Sequence, residues 1–558
     1  MMTKLKKYYP LIILLIVFIL SSWAILSPGY FRVHDFTDGA RIAEMTLALE
    51  DGHFPVRWTK NFGFGYGMPL FQFYGPLPFY VASFFYWLGV SLVGSIKIII
   101  LLANFGTIIG AFLLGRELVK KNQDWAGVLA AAILTLAPYR AVNIFVRGAL
   151  SEIWGLMALP WILWSLILIV KKKKQAWLEL GLSLTVLFLS HNISVLLFAP
   201  FAVIFFLLYY CYFYQNTKKI KRNAWSVFKQ AFFGSLLGLG LSSFYLFPAF
   251  FEKDLTQVNS IILGDYFDYH LHFLYLRQFI KPFWGYGGSE WGPDDQISFF
   301  LGFGQVLVLL LACWQAVKNI WQKKRSSIFL VGILLIIAAA ILLTTQKTLF
   351  IWEALPLLAF VQFPWRFIVV IISFVSVLAA LVLDNKKLNK IFIIGLLLTA
   401  SVNTVYFRPE FYLDDPQAIY YADGKRIRHE MSGILPDYTA KSMPFWSEIE
   451  PVDELIINSA ELPSDSFAVL VDKTQEKLIL TNFKHAQKLE LAIADFPLWQ
   501  VWQDGEMRKT ETNNGHLVLQ ADTGEHLYSI KLTRTKLRLF SDLVSAATWI
   551  FLLGMIFI

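Results

Sequence analysis

Charge and cysteine are what this 558-residue sequence has least of. Asp, Glu, Lys and Arg make up 16% of it, against about one-quarter in ordinary soluble domains. Hydrophobic residues make up 56%, and the mean hydropathy is +0.55. That balance excludes a water-soluble enzyme. The two cysteines, Cys211 and Cys313, each lie near the end of an apolar run that leads into a lysine cluster, so there is no disulfide framework and no cysteine metal spacing. No internal repeat is evident, and no low-complexity tract exists beyond Lys171–Lys174, which leaves solenoids and polar linkers out. Gly63, Gly65 and Gly67 lack both the preceding strand and the Lys-Ser/Thr ending of a phosphate loop. The net charge of +9 does not indicate nucleic acid as a partner. The basic residues fall in short clusters between apolar runs, where orientation in a membrane explains them.

What is present is apolar sequence in long runs. At about 20 residues per crossing, the sequence predicts a polytopic α-helical membrane protein of about 12–13 transmembrane helices. Spans are expected near 10–27, 94–118, 125–139, 150–170, 176–190, 193–214, 226–250, 298–317, 328–344, 366–383, 391–407 and 541–558. Pro10–Leu26 follows Lys4, Lys6 and Lys7 and lacks a small-residue cleavage site, so it reads as a retained first span. Clusters at Arg116/Lys120/Lys121, Lys171–Lys174, Lys218/Lys219/Lys221/Arg222, Lys318/Lys323/Lys324/Arg325 and Lys386/Lys387/Lys390 mark cytoplasmic loops, with both termini inside. Residues 69–89 are apolar enough to cross, but Pro69, Pro76 and Pro78 favour an interfacial or re-entrant segment.

The expected organisation is a transmembrane domain over 1–407 with outer loops 28–68, 251–297 and 345–365, an extracytoplasmic domain over 408–540, and a final helix over 541–558. Alternating stretches at Ser466–Val471, Lys477–Thr481, Leu489–Ile493 and His516–Gln520, with turn signals at Asp504-Gly505 and Asn513-Asn514-Gly515, predict a β-rich, sandwich-like domain near the C-terminus.

The chemistry-bearing residues gather in the outer loops. His34, Asp35, Asp38 and Arg41 follow the first span directly, where a lipid head group would be handled. A carboxylate there is pushed up by desolvation and down by arginine, so it can be tuned to take a proton from a hydroxyl. The same residues also read as a solvated loop with helix-capping Asp and Thr. Arg57 lies further along this loop, among interleaved aromatics, Gly and Pro. Arg140 and Arg147 share a face if their stretch is helical, and two guanidinium forks on one face suit a phosphate. Glu152 could instead pair with Arg147. His191 ends a span, as a ligand residue or a helix cap. Trp284 and Glu290 stand in a loop whose aromatics and carboxylates suit a sugar. His270 and His272 match no strong metal pattern. Arg366 begins a span at a depth from which it can snorkel to lipid phosphate.

The stretches opening at His34-Asp35, Gly52-His-Phe-Pro-Val-Arg-Trp58, Tyr74-Gly-Pro-Leu-Pro78, Arg147-Gly-Ala-Leu-Ser-Glu152, Ser190-His-Asn192 and Phe363-Pro-Trp-Arg366 together resemble the bacterial membrane family labelled "6-pyruvoyl-tetrahydropterin synthase-related". The label is a name; no pterin chemistry is found in these residues. The family looks like a branch of the GT-C type glycosyltransferases, close to YfhO-type proteins. Phe496-Pro-Leu-Trp499…Asp504-Gly505 is similar to a Pro-Gly-Trp…Asp-Gly hairpin found there, with Leu498 in place of the usual glycine.

The resemblance implies transfer of a sugar from a polyprenyl-phosphate donor to a cell-envelope glycan, polymer or lipid acceptor on the outer face of the bacterial cytoplasmic membrane. Asp35 would be the catalytic base, or Asp38 if the register is displaced. Substrate would be bound by His34, Arg41, Arg57, Arg140, Arg147, Glu152, His191, Trp284, Glu290 and Arg366. No cofactor is implied, and a divalent cation, which the oligosaccharyltransferase branch needs, stays open. A flippase of lipid-linked sugars and a non-catalytic envelope assembly protein are the alternatives.

Overall fold

The computed structural model describes residues 2–214, 220–262, 264–324, 327–383 and 390–556. Lys218, Lys219, Arg325, Lys386 and Lys387 of the basic clusters lie outside the described residues, as do the side chains of Lys4, Lys6, Lys7, Lys221, Arg222 and Lys390.

Among the described residues, eight helices are long and apolar enough to cross a bilayer: Tyr8–Leu26, Leu92–Leu118, Leu150–Val170, Asn192–Tyr214, Asn223–Phe251, Phe303–Trp321, Pro364–Val382 and Lys536–Met555. Two pairs qualify only as bent units, Gln123–Thr135 with Pro138–Arg147 at 49° and Ser327–Leu343 with Gln346–Ala354 at 92°. Ala176–Ser190 and Phe392–Tyr406 are apolar but short. A helix the length of Ala176–Ser190 rises only about 23 Å, against a hydrocarbon core of about 30 Å. Among the described residues, each of the twelve expected spans contains a helix, and eight to ten of these meet the length for crossing. Residues 69–89 form two short helices, Leu70–Phe73 and Leu77–Trp87. The longer of these rises about 16 Å, too little to cross.

The chain divides into two compact units that cut across its linear order. One comprises 1–36, 97–240 and 265–416; the other comprises 37–96, 241–264 and 417–558.

The first unit is a helical bundle around Pro364–Val382, whose apolar window is 94% buried. Its run Ile368-Val-Val-Ile-Ile has no polar face, which suits an element surrounded on all sides. Gln123–Thr135, Phe303–Trp321 and Ser327–Leu343 pack against it. The chain breaks before Pro138, which has no N–H to continue a helix. The carbonyls freed there are taken by side chains from distant helices: Gln305 Nε2 donates to Ile133 O (2.6 Å) and Asn403 Nδ2 to Leu136 O (3.0 Å). A break inside an apolar bundle persists only when such groups are satisfied. Beyond it, Val142–Arg147 winds as a π-turn, which ends at Gly148 with φ +69°.

Among the described residues, the second unit holds eight strands: β1 Phe467–Asp472, β2 Glu476–Phe483, β3 Gln487–Ala494, β4 Trp499–Gln503, β5 Glu506–Arg508, β6 Glu511–Asn513, β7 His516–Ala521 and β8 Gly524–Leu532. They form two antiparallel sheets, ordered β1-β2-β8-β4-β5 and β3-β7-β6. β2 alternates in burial as expected of a strand with one face on a core. Asp504-Gly505 and Asn514-Gly515 have positive φ at both positions, the turn geometry that matches strand twist. The core contains Ile479, Leu489, Leu491, Val501, Tyr528 and Ile530, and Trp58 inserts into it from far upstream. The Trp58 ring meets Phe496 and Trp499 at 5.5 Å each. The glycines at 63, 65 and 67 serve this insertion. At Gly65 a Cβ would lie 2.3 Å from Val452 O, and at Gly67 it would lie 2.3 Å from the Trp58 ring nitrogen. The helix Lys536–Ile556 is tied to residues 241–252 by Arg538 Nε to Glu252 Oε2 (2.7 Å) and Trp549 Nε1 to Leu241 O (3.2 Å).

Candidate functional site

In the first unit, Glu152 opens the helix Leu150–Val170 and is 1% exposed. Its Oε1 accepts from Tyr139 Oη (2.7 Å) and Asn143 Nδ2 (3.2 Å), and its Oε2 accepts from Arg147 Nη1 (2.7 Å). Arg366 Nε stands 3.9 Å from the same Oε2. One carboxylate is thus shared by two guanidinium groups, the arrangement a buried cation pair requires. Arg147 lies over the Trp365 ring at 4.8 Å, and Arg366 over Phe363 at 4.9 Å. Arg366 also donates to Val361 O (2.8 Å) and Gln362 Oε1 (2.9 Å), so its own turn fixes it.

The backbone following the first helix docks on this cluster. His34 N donates to Val146 O (2.9 Å) and Asp35 N to Arg147 O (2.8 Å). The half-buried Asp35 carboxylate lies within electrostatic reach of Arg147. Gly148 makes the approach feasible, since a Cβ there would sit 2.3 Å from Val33 Cγ2. His34 Nε2 donates to Tyr286 O (2.8 Å), joining the loop that contains residues 265–297. In that loop His272 Nε2 donates to Tyr266 O (2.6 Å), while its Nδ1 faces Ser289 Oγ (3.0 Å). Burial pushes the His272 pKa down and the Asp295 carboxyl up. His272 packs its ring against Phe363 at 4.6 Å.

These contacts bring together five of the residues singled out from sequence: His34, Asp35, Arg147, Glu152 and Arg366. His191 lies within electrostatic reach of Glu152, but its burial keeps the ring uncharged. It also works as a helix cap, its Nδ1 accepting from Ser194 N (3.2 Å). Tyr139, Asn143 and Trp365 complete the cluster and had no signal of their own as site residues.

Residues 71–411, more than half of the chain, match the family described as 6-pyruvoyl-tetrahydropterin synthase related domain, a membrane protein. The chain belongs to that family. A protein of Lactococcus lactis subsp. cremoris (strain MG1363), named only as an uncharacterized protein, is 24% identical over 321 residues, or 57% of this chain. This chain spans about half the length of that relative, 50% of it. Among solved structures, the apo crystal structure of the Archaeoglobus fulgidus oligosaccharyltransferase aligns with 80% of this chain and 62% of its own, at 13% identity and a TM-score of 0.43. The arabinofuranosyltransferase AftD from Mycobacteria aligns with 73% of this chain and 28% of its own, at 14% identity and a TM-score of 0.44.

Other residues singled out from sequence sit elsewhere in this member of the 6-pyruvoyl-tetrahydropterin synthase related family. Arg140 does not share a face with Arg147, because the π-turn between them changes the periodicity. Its Nη2 donates to Asn104 Oδ1 (2.6 Å), and its Nε and Nη1 meet no acceptor among the described residues. Asp38, Arg41 and Arg57 belong to the second unit. Arg41 Nη1 pairs with the buried Asp38 at 3.0 Å and lies over Tyr74 at 4.4 Å. Arg57 pairs with Asp542 and donates to Phe244 O (3.2 Å), a structural clamp. Back in the first unit, Trp284 stacks on Tyr406 at 5.2 Å, and Glu290 accepts from Gln296 Nε2 (2.8 Å). Among the described residues, no three His, Cys, Asp or Glu side chains converge as a metal-binding set.

Proposed function

We propose that this membrane protein is a glycosyltransferase that moves a sugar from a polyprenyl-phosphate donor to a cell-envelope acceptor at the outer face of the bacterial cytoplasmic membrane. The observation that carries the reading is the docking of Asp35 on Arg147. It sets a carboxylate within electrostatic reach of Arg147, which shares one buried counter-charge with Arg366. Asp35 takes the proton from the acceptor hydroxyl as its oxygen bonds to the anomeric carbon. The bond from that carbon to the phosphate oxygen breaks on the opposite side, and its electron pair leaves with the phosphate. Arg147 and Arg366 stabilise the charge that grows there. A phosphate leaves without a proton donor, so one base suffices, whereas a glycosidase would need two carboxylates. The product has inverted anomeric configuration. Asp38, buried against Arg41, is the less suitable base.

A transporter of lipid-linked sugars is the second reading. The broken helix at Pro138 and the buried Arg140 beside it favour it, since transporters bind substrate at interrupted helices. Envelope glycans compared by mass spectrometry from cells with wild-type protein, Asp35→Asn protein and no protein, at matched membrane levels, separate the two. A transferase loses the same sugar in the Asp35→Asn and deletion strains and accumulates donor outside. A transporter tolerates Asp35→Asn and traps donor inside on deletion.

A further inference from the structure

A cleft of about 680 Å³ opens in the first unit, lined by Lys281, Phe283, Tyr286, Asp294, Gln296 and Phe299, with Gln278, Asp295 and Glu410 completing its polar wall. Its volume lies in the range of small-ligand sites, about 300–1,000 Å³. The wall is held by its own backbone. Gly287 N donates to Gln296 O (3.1 Å) and Gln296 N to Gly288 O (3.1 Å), with Tyr286 bridged to Ile297. Gly287 is required for this clasp, because a Cβ there would lie 2.4 Å from Gln296. Two buried polar groups are fixed against each other at its base, Gln278 Nε2 donating to Asp295 Oδ2 (2.6 Å). Asp294 and Glu410 stay exposed to the cleft.

The cleft abuts the Asp35–Arg147 cluster at two points. Tyr286, which lines it, receives the His34 hydrogen bond. Phe299, also in its lining, meets Trp365 in a tilted contact at 5.6 Å, and Trp365 is the ring beneath Arg147. Aromatic faces beside carboxylates and amides are the chemistry of saccharide binding, with rings against apolar sugar faces and acids accepting from hydroxyls. Three carboxylates against the one ammonium of Lys281 make the lining net negative, and burying like charge against it costs affinity.

We infer that this cleft is the acceptor subsite and that it takes a neutral or amino-bearing saccharide rather than a phosphate- or carboxylate-bearing polymer. The acceptor role rests on the transferase reading; the binding does not. The arginine pair is left to the donor phosphate, and the carboxylate lining of the cleft discriminates against anionic acceptors.

The test uses the full chain in lipid nanodiscs without any donor. Saturation-transfer NMR is recorded with maltotriose, N,N′-diacetylchitobiose, chitobiose and an oligo(glycerol phosphate). Saturation of at least one of the three sugars, with none of the glycerol phosphate, is expected. In Asp294→Lys/Glu410→Lys protein, whose changes are at exposed positions, sugar binding should weaken tenfold or more and glycerol phosphate should begin to bind. Saturation of no sugar, equal binding by the charge-reversed protein, or preference of the wild type for glycerol phosphate would overturn the inference. Sugar binding by a protein that transfers nothing when polyprenyl-phosphate sugar is supplied in a separate assay upholds the saccharide site and removes the transferase reading. Transfer that persists while the charge-reversed cleft changes nothing removes the cleft alone.

Discussion

Glu152 is the residue on which the site turns, because it neutralises Arg147 and Arg366 at once while accepting from Tyr139 and Asn143. Glu152→Gln removes the counter-charge that Arg147 and Arg366 share, and breaking a buried pair costs about 3–5 kcal/mol. A clear drop in thermal unfolding temperature in detergent is expected; an unchanged one would mean that the cluster is solvated. Arg147→Lys keeps the charge but loses the planar group over Trp365 and its fork. It should lower transfer by about 10²–10³-fold, the usual cost of one donor to a developing anion, with little loss of stability. Single-turnover rates with matched protein levels measure it. These charged residues were legible in the sequence, since ionisable groups at the end of an apolar run must pair or bind. Tyr139, Asn143 and Trp365 were not, since a polar or aromatic residue beside a helix end has no signature until its partner is in place. Arg57 misled for the converse reason: its charge is engaged with Asp542, almost at the other end of the chain.

At the scale of elements, the turn after the π-helix decides where Asp35 sits. Gly148 combines φ +69° with a Cβ position 2.3 Å from Val33. Gly148→Ala should therefore cost about 1–3 kcal/mol of backbone strain and pull residues 33–35 off the cluster. Transfer should fall further than the thermal midpoint alone accounts for, and hydrogen exchange at His34 and Asp35 should quicken. The loop containing His272 carries a pH dependence. Burial lowers the pKa of His272 from the ordinary 6.5, so below that value the unfolded loop binds a proton that the folded loop resists. Stability then falls as pH drops from 6.5 toward the lowered folded value. Asp295, raised by burial, acts with the opposite sign. It stabilises the folded loop in acid, and that contribution is lost as pH rises from the usual carboxylate value through the raised one. Protection from hydrogen exchange over 265–297, measured against the intrinsic rate at each pH, should fall below pH 6.5 in the wild type, and His272→Gln should flatten that response. β1, β2, β3 and β7 were legible from alternation and the turns from Asp504-Gly505 and Asn514-Gly515, whereas β8, at the centre of the larger sheet, was not. The break at Pro138 was not, because its carbonyls are satisfied by Gln305 and Asn403, far along the chain.

For the whole molecule, hydropathy located the apolar helices, while composition did not register the bend or the shortness of some of them. The loop after the first helix read as one functional segment, yet its residues divide after Phe36 between two compact units. Trp58 belongs to the β-sheet core, and Trp58→Ala should destabilise the second unit by about 3–5 kcal/mol, seen as increased proteolysis within 467–532. The transferase reading itself is tested most directly with purified protein in liposomes supplied with labelled polyprenyl-phosphate sugar and an envelope extract as acceptor. The expected result is label on the acceptor with inverted anomeric configuration, stoichiometric release of polyprenyl phosphate, and loss of both in Asp35→Asn protein. Label that crosses the bilayer still attached to its lipid, or transfer undiminished by Asp35→Asn, would contradict it.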